Sequence, residues 1–201
     1  VSQAHIRRLA AAVDGPARAS GPHPLVEGVA WSVLRDGEGD LLSIHRAGVL
    51  PIQPDFPWLD AAWRAQPGVQ TLAVPGELAA TEGWRLSVEA CRRPSPPAAA
   101  PLDTWQLWLA PLPGSAVQLT TPRPGMRMAP LGMHGHTRAL GDIFTDRKVA
   151  PALRAGWPVI TDRDGRVLWL CGLVAADGVI APPGAPALHV RWLQQRGGAK
   201  P

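Results

Sequence analysis

Proline and glycine divide this chain into short segments, and this feature restricts the fold more than any other. The 201 residues include 23 prolines and 21 glycines. Pairs such as Gly15-Pro16, Pro67-Gly68 and Pro75-Gly76 end helices or form turns, since proline lacks a backbone donor and glycine adopts conformations closed to other residues. No apolar run approaches the roughly 18 residues of a transmembrane helix, so we expect a soluble protein.

The segments between these turns have the patterns of two short helices and several strands. Ser2 can cap a helix over 2–13, in which apolar residues recur at helical spacing, and Pro57 begins another over 57–65. Strands are predicted at the following positions: 29–34, 41–46, 69–74, 84–90, 104–109 and 117–121.

A proline-rich stretch at 92–101 cannot lie in a central strand or a helix, which predicts an exposed linker or loop. We place the domain boundary near 111–116, with this linker as the competing choice. The predicted division is residues 1–115, a linker helix and a strand-rich domain, then residues 116–196, a second domain, then a tail at 197–201. The predicted fold class is α+β, with two small domains that each contain a mixed or antiparallel sheet and a few short helices.

The second half begins with a glycine-rich loop, Gly132-Met133-His134-Gly135-His136. A helix is predicted over 138–146, with Arg138 and Asp142 pointing outward together. Pro151 opens a further short helix that Gly156 closes. An Asp-Gly turn then predicts a hairpin between 157–161 and 166–170, and alternation predicts a last strand over 188–192.

Positive charge is concentrated in one segment. Residues 120–156 contain six cations and two acids, a net charge of +4, which equals the formal net charge of the whole chain. A local basic segment of this kind suits a polyanion such as nucleic acid. The alternative is a solvated basic face without a partner, and charge alone does not separate the two.

Motifs for catalysis are missing from the sequence. It contains neither a phosphate-binding glycine loop nor a nucleophile elbow, so we predict no catalytic residue. His134 and His136 could supply two metal ligands, but a site needs a third and usually a fourth, so we predict contacts to RNA or a loop role instead, and no metal. Cys91 and Cys171 lie in apolar settings, and two reduced thiols fit a cytoplasmic protein.

One segment carries a family resemblance. Its elements, in order, are Gly125-Met126-Arg127, Pro130-Leu131-Gly132, Arg138-Ala139-Leu140-Gly141-Asp142-Ile143-Phe144, Lys148-Val149, Arg154, Pro158, Trp169 and Gly172. Their order, spacing and chemistry resemble the C-terminal domain of bacterial tRNA(Ile)-lysidine synthetases. Met126 and Gly141 depart from that pattern, which commonly has an acid and a lysine at these places. More loosely, the region up to about residue 90 resembles the linker helix and middle domain of the family.

The resemblance implies a function in tRNA modification. Such ligases use ATP to attach lysine to the wobble cytidine of a tRNA(Ile) with a CAU anticodon, and their C-terminal domain is thought to contact the acceptor stem. Because the chain begins at Val1 and has no ATP-binding loop, we expect a fragment that is inactive alone. The catalytic domain, ATP, lysine and magnesium would belong to the longer enzyme, and no cofactor is expected here.

Seven residues are the candidates for tRNA contact: Arg127, Arg138, Arg147, Lys148 and Arg154, with His134 and His136 as weaker ones. For each cation the alternative is a surface charge or an ion pair with Asp142 or Asp146. The expected partners are tRNA(Ile) and the chain's own N-terminal catalytic domain, with a homodimer left open and no membrane. The alternative function is a protein-interaction or dimerisation module whose basic patch is incidental.

Overall fold

The computed structural model describes residues 23–35, 40–46, 56–59, 68–81, 83–95, 105–114 and 116–194, together with positions 3, 4, 6, 7, 10, 63 and 64. The described positions within 2–13 are helical, as predicted. Trp63 and Arg64 are helical too, whereas 57–59 are not, so the helix predicted over 57–65 is wrong at its start. Of the predicted linker at 92–101, the structure describes only 92–95.

Three strands near the beginning of the chain form an antiparallel sheet. They are β1 (His23–Val26), β2 (Val29–Arg35) and β3 (Asp40–Arg46), in the order β1-β2-β3. Strands β2 and β3 pair along their whole length, with Val29 opposite Arg46 and Arg35 opposite Asp40. The strands predicted at 29–34 and 41–46 are confirmed.

The rest of the described chain adds short strands and two short helices. The strands are β4 (Val69–Ala73), β5 (Gly76–Thr81), β6 (Trp84–Arg92), β7 (Gln106–Leu109), β8 (Ala116–Thr120), β9 (Arg127–Met128), β10 (Arg138–Ala139), β11 (Val159–Thr161), β12 (Val167–Leu170), β13 (Val174–Ala175) and β14 (Pro186–Gln194). The helices are α1 (Leu140–Asp146) and α2 (Pro151–Arg154). Among the described residues, no helix is long and apolar enough to pass through a bilayer.

Most of these strands join two antiparallel sheets. A five-stranded sheet has the order β13-β12-β11-β8-β4, and a four-stranded sheet has the order β5-β6-β14-β7. Strands β9 and β10 form a separate two-stranded ribbon. Small antiparallel sheets with short helices confirm the predicted α+β class.

Both of the larger sheets contain strands from either side of residue 115. Strand β4 pairs with β8 in the first, and β6 and β7 flank β14 in the second. The division into domains at 1–115 and 116–196 stays a prediction. Each of the two sheets combines strands from both of these ranges.

The core lies between the sheets and α1. On β14 the side chains of Leu188, Val190 and Trp192 point inward and are at most 5% exposed, as their alternation predicts. All four residues of β12 are buried, because other elements cover both of its faces. Five further large side chains are buried in this core: Leu140, Ile143, Phe144, Trp157 and Trp169.

The 56–59 segment packs against α2 and the turn after it. The Leu59 N–H donates to the Gly156 carbonyl at 2.8 Å, and Trp58 Nε1 donates to the Leu153 carbonyl at 2.9 Å. The ring of Phe56 lies 4.7 Å from that of Trp157. These contacts hold 57–59 against α2 in a non-helical conformation.

Candidate nucleic-acid interface

The basic segment folds into a ribbon followed by a helix. Arg127 pairs with Ala139 and Met128 pairs with Arg138, so β9 and β10 form the base of a hairpin. The hairpin encloses residues 129–137, of which the last seven are called the 131–137 loop below. The side chains of two residues that pair across the strands point to the same face of the ribbon, and those of their chain neighbours point to the opposite face. Arg127 and Arg138 therefore point to opposite faces.

The 131–137 loop is built from two successive tight turns. The Met133 N–H donates to the Pro130 carbonyl at 3.1 Å, and the His136 N–H donates to the Met133 carbonyl at 3.0 Å. The first turn has a left-handed residue at its third position, Gly132, and the second has His134 and Gly135 at its centre, with φ of 48° and 83°. Such conformations favour glycine, which explains the glycine spacing of the loop.

Helix α1 ends in a Schellman arrangement with a lysine in the place where glycine is usual. The Val149 N–H donates to the Phe144 carbonyl at 2.9 Å, and the Lys148 N–H donates to the Thr145 carbonyl at 3.0 Å. Lys148 has a φ of 55° and is exposed. Its side chain thus leaves the helix end from a backbone conformation that lysine rarely adopts.

Arg138 makes an ion pair with Asp146, one of the two acids named above as the alternative for each cation. Its Nη1 lies 2.5 Å from Oδ2 of Asp146, with the two side chains 34% and 55% exposed. Arg138 belongs to β10 and not to α1, so it does not share a helix face with Asp142, and that prediction is wrong. The pair connects the ribbon to the end of α1.

Arg154 is used by the fold itself. Its Nε donates to the Val149 carbonyl at 2.9 Å and its Nη1 donates to Thr145 Oγ1 at 3.3 Å. Its guanidinium carbon lies 6.0 Å from the centroid of the Phe144 ring. Arg154 therefore binds α2 to the end of α1, and its charge remains half-exposed beside Lys148.

The structure thus brings four of the seven candidates together and places the other three on the ribbon and its loop. Arg138, Arg147, Lys148 and Arg154 surround the C-terminal end of α1, where a helix favours positive charge. Arg127 donates to the Thr137 carbonyl at 3.1 Å, at the base of the 131–137 loop. His134 and His136 are exposed on that loop.

Three of these cations are exposed and carry a charge that no described acid neutralises. Among the ion pairs between described residues, none involves Arg127, Arg147 or Lys148. Within the same residues, no group of three His, Cys, Asp or Glu side chains could hold a metal ion. The arrangement can therefore bind anions by charge and hydrogen bonds.

Two apolar residues of the 131–137 loop were not predicted to be functional. Leu131 is 53% exposed and Met133 is 39% exposed, and all seven residues of the loop are exposed. Periodicity gives no signal here because the loop is neither helix nor strand. The sequence clue is their position, since both residues stand in a glycine-rich turn where no core position is available.

Comparison with known proteins decides the family of this region. The family model of the TilS substrate C-terminal domain matches residues 117–192, a range that contains all seven candidate residues. This region is a TilS C-terminal domain. The resemblance to the C-terminal region of tRNA(Ile)-lysidine synthetases is confirmed.

Similar whole proteins are tRNA(Ile)-lysidine synthases. This chain is 34% identical to the synthase of Geobacter sulfurreducens over 146 residues, a match that covers 71% of this chain and 28% of the relative. The match to the synthase of Bacillus subtilis is 36% identical over 55 residues and covers 27% of this chain and 11% of the relative. The chain thus spans little more than a quarter of the length of the first relative.

A solved structure is similar over about two thirds of the chain. The crystal structure of a TILS C-terminal domain matches with a TM-score of 0.51 and 26% identity, covering 65% of this chain and 99% of that domain. The matched share of the chain is larger than the range 117–192 that the family model covers. It agrees with the pairing of β4, β6 and β7 into the same sheets as the strands of the TilS C-terminal domain.

Proposed function

We propose that this chain is the tRNA-binding portion of a tRNA(Ile)-lysidine synthetase, and that its basic surface holds the acceptor stem of a tRNA(Ile) with a CAU anticodon. The observation that supports this most is the exposed charge of Arg127 on the ribbon and of Arg147 and Lys148 at the end of α1. All three lie within the TilS C-terminal domain, and none is in an ion pair between described residues.

The arrangement suits double-stranded RNA because A-form RNA exposes phosphates and 2′-hydroxyls across a wide, shallow minor groove. Side chains on a helix end and a nearby ribbon can contact phosphates on both sides of such a groove. Phosphate contacts fix the position of the protein on the stem, and few base contacts are needed for discrimination. Arg138 and Arg154 contribute charge while their own contacts hold the surface in shape.

The chemistry would take place elsewhere in the enzyme. A catalytic domain of the same protein would bind ATP, lysine and magnesium and would modify the wobble cytidine. Because the anticodon lies far from the acceptor stem, a second domain that binds the stem adds recognition that the catalytic domain cannot reach. The setting that we propose for this reaction is the cytoplasm.

Charge reversal at two of the free cations tests the proposal. We expect Arg127→Glu combined with Lys148→Glu to abolish binding of the chain to tRNA(Ile) in a fluorescence-anisotropy titration. Thermal unfolding should be nearly unchanged because both side chains are exposed. The matched control is Arg85→Glu, in the four-stranded sheet, where the native arginine pairs with Glu77; it should leave binding unchanged.

Salt dependence separates RNA binding from the alternative of a protein-interaction or dimerisation module. If three to five phosphates are neutralised, the logarithm of affinity should fall against the logarithm of salt concentration with a slope of about −2 to −4. An apolar protein interface would hardly respond. Unaltered tRNA affinity in the double variant, or a slope near zero, would contradict the proposal.

A further inference from the structure

The 131–137 loop presents apolar side chains to solvent in a part of the molecule that is otherwise well packed. Within residues 116–194, the exposed large hydrophobic side chains are those of Leu131 and Met133. At the base of the same hairpin, Met128 is 3% exposed and Leu140 is 2% exposed. The chain therefore has a core close by, and these two side chains lie outside it.

The loop holds this conformation by backbone bonds rather than by packing. The Leu131 N–H donates to the Ala175 carbonyl at 2.9 Å, and the two turns fix residues 130–136. A Cβ atom at Gly132 or Gly135 would meet no atom within 4 Å, so the loop stands clear of the rest of the molecule there. The apolar side chains are thus presented on a defined projection.

Cationic and polar groups flank these apolar side chains. His134 and His136 lie on the same loop, and Arg127 donates to the carbonyl of Thr137, the last loop residue. A partner for this tip must offer an apolar surface bordered by negative charge. The sides of an RNA double helix do not, because phosphates, sugars and polar base edges cover them.

The end of an RNA double helix has both properties. Its last base pair exposes a flat, apolar face, and the final phosphates surround it. We propose that Leu131 and Met133 pack against the terminal base pair of an RNA stem, while Arg127 and the loop histidines lie beside the last phosphates. This inference rests on the proposed function, and it adds that the domain recognises where a stem ends.

Two RNA stems of identical paired sequence test the inference. One is closed by a loop at one end and open at the other, and the second is closed by loops at both ends. We expect the chain to bind the open stem about tenfold more tightly, since burying two partly exposed apolar side chains has an effect of this order. The measurement is fluorescence anisotropy at fixed salt.

Variants of the loop assign the preference to its tip. Leu131→Ser combined with Met133→Ser should bind both stems with the affinity that the native chain shows for the closed stem. The matched control is Ile44→Ser, an exposed apolar residue in the three-stranded sheet, which should keep the preference. Arg127→Glu should weaken binding of both stems.

The outcomes separate this inference from the proposed function. Equal binding of the two stems by the native chain, or a preference that survives in the double serine variant, overturns the role of the tip and leaves the basic surface intact. Binding of neither stem overturns the proposed function, and this inference with it. Binding to vesicles of anionic phospholipid that the double serine variant loses would assign the tip to a membrane surface and would also overturn the inference.

Discussion

Replacing Lys148 with glycine should make the protein more stable and weaken its binding to RNA. Lys148 occupies the left-handed position of the Schellman arrangement, with a φ of 55°. A residue with a Cβ atom is less stable there than glycine by about 1–2 kcal/mol. The greater freedom of glycine in the unfolded chain offsets roughly 0.4–1 kcal/mol of this. The expected net gain is therefore about 0.5–1 kcal/mol, which for a chain of this size raises Tm by about 2 °C.

The same change removes one cation from the proposed RNA surface. The affinity for tRNA should fall about fivefold to tenfold, and the salt dependence should become less steep by about 0.9 in slope if Lys148 contacts one phosphate. Differential scanning calorimetry measures the first effect, and anisotropy titrations at several salt concentrations measure the second.

Lys148→Ala is the matched control, because alanine removes the charge and keeps the Cβ atom. It should lose the same affinity and gain no stability. Two results would refute the reasoning: a Lys148→Gly protein that is less stable than the native one, or one that binds tRNA with full affinity and an unchanged salt slope.

Three further changes test the packing and the ionisable groups. Gly156→Ala should lower the free energy of unfolding in urea by about 1–3 kcal/mol, because its Cβ atom would overlap the 56–59 segment, whereas Gly141→Ala, in open space on α1, should raise it by about 0.5–1 kcal/mol. Burial and the nearby charge of Arg191 lower the pKa of His189. Well above pH 6.5 His189 is neutral in both states. As pH falls below that value the unfolded chain takes up the proton first, so stability falls, and His189→Gln should reduce the loss measured between pH 7 and pH 5. Arg138→Ala should lower the free energy of unfolding by less than about 1 kcal/mol in the same urea assay, because both side chains of its ion pair are more than a third exposed.

The patterns that predicted the fold correctly are those in which one signal dominates. Alternation identified β14, the Asp-Gly turn identified the β11–β12 hairpin, and Pro151 marked the start of α2. In each case the local preference and the tertiary environment agree, which is why the residues alone were sufficient.

Strand β5 was not predicted because its sequence carries little strand preference. Residues 76–81 include a glycine and two alanines, all depleted in strands. The segment becomes a strand because β6 offers it a partner through a tight connection, with Leu78 opposite Leu86. Pairing of this kind depends on tertiary structure, and a short window of sequence does not contain it.

The candidate site shows the same limit at the level of single side chains. The sequence identified the basic segment, but it could not show that Arg138 lies on a strand and reaches Asp146, or that Arg154 binds the Val149 carbonyl. Lys148 was chosen for its charge, and its left-handed backbone was not expected because that position normally carries glycine. Conformation at such positions is set by the helix end and not by residue type.

Strand β14 has a consequence for how the protein is made. It lies between β6 and β7 and contacts both along most of their length, although nearly a hundred residues of chain separate it from β6. During synthesis the edges of β6 and β7 that face β14 must stay without this partner until residues 186–194 leave the ribosome. Folding of this sheet is therefore expected to begin late and to depend on contacts distant in sequence, which slow folding. A ribosome stalled before residue 186 should hold a chain that is far more sensitive to protease than one stalled well beyond residue 194.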